Sequence, residues 1–492
     1  MTYLTAFIGL IGFALSALGF IDPALASGAE GDIHPEMGTI GIPPLHPAGL
    51  ACIAIFVIAY SLVLLEEKIR LRKSKPVMLG AALIWIVIAI IAPSYNVDHA
   101  QLDYAIMHGL VEYGSLLLFL ITAMTYINSL EDRNVFSALR CKLIKSHFSM
   151  RQLFWATGLL AFFMSPIADN LTTAMVLGTV VMSVGRHDQK FVVLAAINIV
   201  NAANAGGAFS PFGDITTLMV WQAGQVEFFE FFSLFIPCVV AFVVPAFVMS
   251  LFVSKDYPDA LNEDIQMKFG AKRMIFFGVV TIALAVSLEN FLGLPPFLGM
   301  MAGLSLLMMC GYHIRELSVS QKDRDFSVFR QIQGAEWDTL LFFYGVIFAV
   351  GGLTFLGYME LASNAMYNEL GASVTNISVG VISAVIDNIP VMFAVLSMDP
   401  DMSQFQWLLV TLTAGIGGSL LSIGSAAGIA MMGIAHGEYT FMKHLKWTPL
   451  IAVGYIAAIG AHFLINGNIG AEAAPQSTIE QAEAHSTEKA AH

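Results

Sequence analysis

The chain has 492 residues, 57% of them hydrophobic and only 12% charged, against a charged share of roughly 25% in soluble domains, so it reads as an all-α polytopic membrane protein without a soluble domain. Its formal net charge of −13 divides among loops, apolar segments and a polar tail, and marks no nucleic-acid surface. Cys52, Cys141, Cys238 and Cys310 stand singly, which shows neither a disulfide framework nor zinc spacing, and neither an enzyme nor a cofactor is expected.

Residues 3 to 21 form an apolar run followed by Ala24-Leu25-Ala26-Ser27, a signal-like or membrane-spanning start with cleavage left open. Residues up to 47 then form an external loop. Apolar runs follow at 48–65, 76–92, 104–130, 152–185, 191–221 and 227–254, most of them long enough to cross a hydrocarbon core of ~30 Å. After a cytoplasmic loop at 255–273, a second set runs 274–292, 296–313, 336–359, 374–398, 405–437 and 447–466. Residues 467–492, rich in Ala, Glu, Gln, Ser and Thr, read as a disordered tail, expected on the outer side of the membrane.

Four of these runs are interrupted, in matching pairs. Ser165-Pro166-Ile167-Ala168-Asp169-Asn170-Leu171-Thr172-Thr173 breaks 152–185, and Ser383-Ala384-Val385-Ile386-Asp387-Asn388-Ile389-Pro390 breaks 374–398. Each places a serine four residues before an Asp-Asn pair. Gly206-Gly207 through Gly213-Asp214 breaks 191–221, and Gly417-Gly418 through Gly424-Ser425 breaks 405–437. Two motifs in the same order define an internal repeat of 48–254 against 274–466.

Charge supplies the orientation. All but one of the 23 Lys and Arg residues fall within 68–75, 133–151, 186–190, 255–273, 315–330 and 443–446, which the positive-inside rule makes cytoplasmic. Run 152–185 has basic residues at both ends and should enter and leave on the cytoplasmic side; run 374–398 has only acids at its ends and should enter from outside. The expectation is two inverted repeats, each with a re-entrant hairpin and a broken transmembrane helix. Paired broken segments point to a transporter's binding site.

Glu112, Asp169, Asp214, Asp338 and Asp387 lie in or at the ends of apolar runs, with Glu336 at the start of its span, and no Lys or Arg accompanies them at depth. Acids in a membrane interior mark function by default. An acid-only interior favours a cation or proton over an anion. Oxygens for a hard monovalent cation come from Asp169, Asp387, Asn170, Asn204, Asn388, Thr172, Thr173, Ser383, Ser422 and Ser425, with Asp214 as a second acid beside Thr216 and Thr217. Glu112, Glu336 and Asp338 are candidate proton relays. The competing reading makes Asp169 and Asp387 simple helix caps.

At these residues, together with Trp337-Asp338-Thr339-Leu340-Leu341-Phe342-Phe343, the sequence resembles the NhaD-type sodium/proton antiporters of the ion transporter superfamily. The resemblance implies exchange of Na+ or Li+ for H+ across a bacterial inner membrane, commonly by a homodimer. It carries the family's polar positions onto Asp169, Asn170, Asn204, Asp214, Thr216, Thr217, Ser383, Asp387, Asn388, Ser422 and Ser425. Arsenite, carboxylate or oxyanion transport is the alternative within the superfamily.

Overall fold

The computed structural model describes residues 39–469, apart from 146–147, 186–187, 259–264, 318–325 and 436. The signal-like segment 3–21 and the tail from 470 onward lie outside the described residues. Among those described there is no strand. Eight helices there are long and apolar enough to cross a membrane.

The first half begins with α1 (Pro47–Leu64), α2 (Ser74–Ile91) and α3 (His99–Asp132). A short α4 (Val135–Ile144) leads to the pair α5 (Met150–Ala168) and α6 (Asn170–Val184), joined at Asp169 alone. Next come α7 (Gln189–Gly207), a break, α8 (Ile215–Gln222) and α9 (Phe235–Ser250). The second half starts with α10 (Ala271–Leu292), α11 (Pro296–Leu317), the short α12 (Val328–Gln333) and α13 (Trp337–Phe355). It continues with the short α14 (Tyr358–Ser363), the pair α15 (Ala372–Ile382) and α16 (Asn388–Met398), and the broken helix α17 (Gln404–Gly417) and α18 (Ala426–Ile434). The short α19 (Phe441–Leu445) and α20 (Thr448–Asn466) close it.

The order of elements repeats: three long helices, a helix pair, a broken helix and a closing helix. The apolar runs fall on the helices to within a few residues. Composition hid the short helices α4, α12, α14 and α19, which lie between the long spans and are too short to give a hydrophobic signal.

Local chemistry starts the helices where the chain changes direction. Asp98 and Ser149 form capping boxes with Gln101 and Gln152 at the heads of α3 and α5, and Asp188 accepts from the Phe191 N–H at the head of α7. Helices α7 and α17 are the centre of the molecule. Every residue of α7 from Leu194 to Gly207 is buried, as is every residue of α17 from Trp407 to Gly417, and the two pack on each other. A helix apolar or small on all sides belongs in a core.

Glycines set the spacing around these two helices. A Cβ on Gly206 would lie 2.2 Å from the Phe162 carbonyl oxygen on α5, and one on Gly417 would lie 2.0 Å from the Gly380 carbonyl oxygen on α15. Each broken helix therefore runs backbone to backbone along the helix pair of its own half.

Candidate functional site

The two serines that precede the Asp-Asn pairs do the same work. Ser165 Oγ donates to the Ala203 carbonyl at 2.7 Å, and Ser383 Oγ donates to the Ala414 carbonyl at 2.8 Å. Each pins its helix pair to the broken helix one turn before the glycines. The breaks also match: Asp214 is the N-cap of α8, accepting from the Thr216 N–H, and Ser425 is the N-cap of α18, accepting from the Gly428 N–H. A buried helix start must satisfy its free N–H groups, and both residues do so.

The breaks converge on Asp214. Its Oδ2 accepts from Asn170 Nδ2 at 3.0 Å and from Asn388 Nδ2 at 2.8 Å, so both Asp-Asn motifs address one carboxylate oxygen. Asn170 Nδ2 also approaches Asn204 Oδ1 at 3.2 Å, and Asn204 Nδ2 reaches Ser419 Oγ and Ser425 Oγ, each at 2.9 Å. The network is buried and joins four interrupted segments. Its oxygens are carboxylate, amide and hydroxyl, the donor types suited to a hard alkali cation.

A cavity of about 120 Å³ opens beside it, with Asp169, Asn170, Thr172, Asp214, Glu336 and Asn388 in its wall. Asp169 sits within electrostatic range of both Asp214 and Glu336, and Asp214 within range of Asp387, so these four acids interact with one another in pairs. The side chains of Thr173, Thr216 and Asp387 each leave one buried oxygen without a hydrogen bond.

Of the two acids, Asp169 makes helix-cap bonds and Asp387 makes none. Asp169 caps α6, its Oδ1 accepting from the Thr172 N–H at 2.7 Å and its Oδ2 from the Thr172 hydroxyl at 3.2 Å. Asp387 precedes α16 but makes no cap bond.

Other sequence candidates spread outward from the centre. Thr217 Oγ1 donates to the carbonyls of Ser210 and Asp214, holding the break's shape. Ser422 is buried, its hydroxyl 3.3 Å from Met432 Sδ, and it does not line the cavity. Glu336 accepts from the Thr339 hydroxyl, and Asp338 from the Ser74 hydroxyl. Glu112 pairs with His108 at 3.5 Å on a half-exposed face of α3, away from the cavity lining.

The acid-only interior needs correction. Lys73 Nζ lies 3.4 Å from Asp387 Oδ2, with the two side chains only 17% and 12% exposed, and Lys73 lines the cavity. A lysine stem is long enough to carry its ammonium inward from a helix end, so its place in a basic loop did not reveal its reach. Ser419 was missed as well. Its signal was a hydroxyl at the repeat position that Ala208 fills in the first half.

Comparison with known proteins fits this geometry. Residues 60–415 match the family described as citrate transporter. The chain is 53% identical over 442 residues to the Na+/H+ antiporter NhaD of Alkalimonas amylolytica, covering 86% of this chain and 91% of that one. It is 53% identical over 439 residues to NhaD of Vibrio cholerae, covering 85% and 92%. It is also 32% identical over 438 residues to sodium/proton antiporter 1 of Arabidopsis thaliana, covering 85% and 72%. With 53% identity over more than four fifths of its length, the chain belongs to the NhaD family of sodium/proton antiporters.

Proposed function

We propose that this multi-pass membrane protein exchanges Na+ or Li+ for H+ across a bacterial inner membrane, and that ion and proton compete for the carboxylates of Asp169, Asp214 and Asp387. The observation that supports this most is the convergence of Asn170 and Asn388, one from each half, on a single oxygen of Asp214 beside a small cavity whose wall includes Asp169, Asp214 and Glu336. Desolvation disfavours a charged carboxylate, so one with neither a metal ion nor a counter-charge beside it tends to hold a proton. Na+ needs the same oxygen deprotonated. Mutual exclusion produces antiport when only loaded states change the side to which they open.

In this reading Asn170, Asn204, Asn388, Thr172, Thr173, Thr216, Thr217, Ser383, Ser422 and Ser425 shape the cation site or supply neutral oxygens, while Glu336 and Asp338 pass protons. Glu112, away from the cavity, is the weakest relay member. The two helix pairs act as opposed re-entrant hairpins of an inverted repeat, the protein works as a homodimer, and its tail lies outside.

Everted vesicles with a pH-sensitive dye test the function. Addition of NaCl or LiCl should collapse a preset pH gradient, while choline chloride should not. The citrate-transporter family match and the partly buried Lys73 favour a second reading, an anion carrier. Citrate or arsenite that dissipates the gradient, with Na+ and Li+ inert, would establish it instead.

A further inference from the structure

Lys73 precedes the first residue of α2, and its ammonium touches only one oxygen of Asp387, Oδ2 at 3.4 Å. The other oxygen, Oδ1, is buried and makes no hydrogen bond. Neither does the buried hydroxyl of Tyr60 on α1, which lies within electrostatic reach of Asp387. One oxygen of the carboxylate is therefore paired and the other is buried without a partner.

The two partners are held very differently. Lys73 projects from a rigid base: Ser74 Oγ donates to Asp338 Oδ1 on α13, and a Cβ on Gly345 of α13 would fall 2.8 Å from the Met78 backbone nitrogen on α2. The ammonium also stands 4.7 Å from the centroid of the Phe342 ring, a contact that stabilises a cation out of water. Asp387 instead ends the non-helical stretch between α15 and α16. A firmly mounted cation thus meets a carboxylate on irregular backbone.

We propose that Lys73 is a tethered rival of the transported cation, pairing with Asp387 while the site is empty and expelled from Oδ2 when an alkali ion takes Oδ1. This rests on the cation-exchange reading above. A buried carboxylate without a counter-charge is costly, so the lysine lowers the energy of the empty state. Two cations on one carboxylate repel each other across a few ångströms of poorly screened space, so the ion and the ammonium exclude one another. Glu66, which lies just after α1 within range of Lys73, gives the displaced ammonium a second acid to face. The net affinity for Na+ is then a difference, the ion's own binding less that of the lysine it displaces.

Two measurements test this. In everted vesicles at a single alkaline pH, Lys73→Met should lower the half-saturating Na+ concentration several-fold, and Lys73→Arg, which keeps a permanent cation, should lower it less. In purified wild-type protein, NaCl should accelerate acylation of the Lys73 amine relative to equal choline chloride, read by mass spectrometry of the modified peptide. An unchanged half-saturation in Lys73→Met overturns the proposal, as does labelling indifferent to Na+. Should Lys73→Met fail to accumulate in membranes, the wild-type labelling decides alone. Wild-type vesicles that exchange no Na+ would overturn the functional reading itself, a result distinct from normal exchange with an inert Lys73.

Discussion

Asp169 has φ 54° and ψ 165°, a conformation that a residue with a Cβ seldom adopts. Holding it there costs about 1–3 kcal/mol, offset in part by the two bonds its carboxylate accepts from Thr172. Glycine would relieve the backbone and lose only a few tenths of a kcal/mol as a cap. Asp169→Gly should therefore melt at or above the wild-type temperature in detergent while sodium-dependent exchange disappears. A variant that melts lower and still exchanges would make the acid a structural cap only. The proton competition has its own residue-scale consequence. In wild-type vesicles exchange should rise toward alkaline pH, as the carboxylates shed protons, and higher Na+ should move the rising limb to lower pH. Asp214→Asn should remove that movement, because an amide cannot lose a proton in this range. The Asp-Asn pairs and Asp214 were legible in the sequence because acids are rare in apolar runs. That Asp169 caps and Asp387 does not was illegible, since both follow a serine at the same spacing and differ only in how the backbone unwinds.

At the scale of elements, helices α7 and α17 are set against their helix pairs by glycine. The carbonyl of Phe162 would stand 2.2 Å from a Cβ at Gly206, and that of Gly380 would stand 2.0 Å from one at Gly417. Backbone atoms cannot swing aside as a flexible side chain can, so a methyl group forces the helices apart, at about 1–3 kcal/mol for overpacking. Gly206→Ala and Gly417→Ala should each lower the melting temperature and reduce Na+ exchange together, because Ser165 and Ser383 bridge the same helices one turn away. Gly433→Ala, at a position where a Cβ would meet nothing within 4 Å, is the matched control and should leave both unchanged. The sequence displayed these glycine pairs as a repeat. Their reason, a contact between segments some forty residues apart, belongs to the packing and has no periodicity.

For the whole molecule, the recurring order of long helices, helix pair and broken helix was readable because apolar length and interruption survive as pattern. Orientation was argued from basic residues alone, and it makes a separate prediction. Single cysteines replacing Asp188 or Asp256 should react with a membrane-impermeant thiol reagent from the cytoplasmic side. Cysteines replacing Asn96 or Asp401 should react from the outside. Reaction of position 188 from outside only would sink the inverted arrangement. The native thiols interfere little, since Cys52, Cys141, Cys238 and Cys310 are all buried.

The N-caps of the two breaks carry one more lesson. Where the first half has Asp214, the second has Ser425, and where the first has Asn204, the second has Gly415. At the two breaks the matching order of elements recurs while the charge stands in the first half alone. Symmetry would provide two equivalent wells for an ion; here the second copy supplies hydroxyls and an amide that lean on the first copy's acid, through Asn388 to Asp214 and through Ser419 and Ser425 to Asn204. The halves have become dependent on one another, so neither could be exchanged for a second copy of its twin without emptying the centre of its acid or crowding two into it.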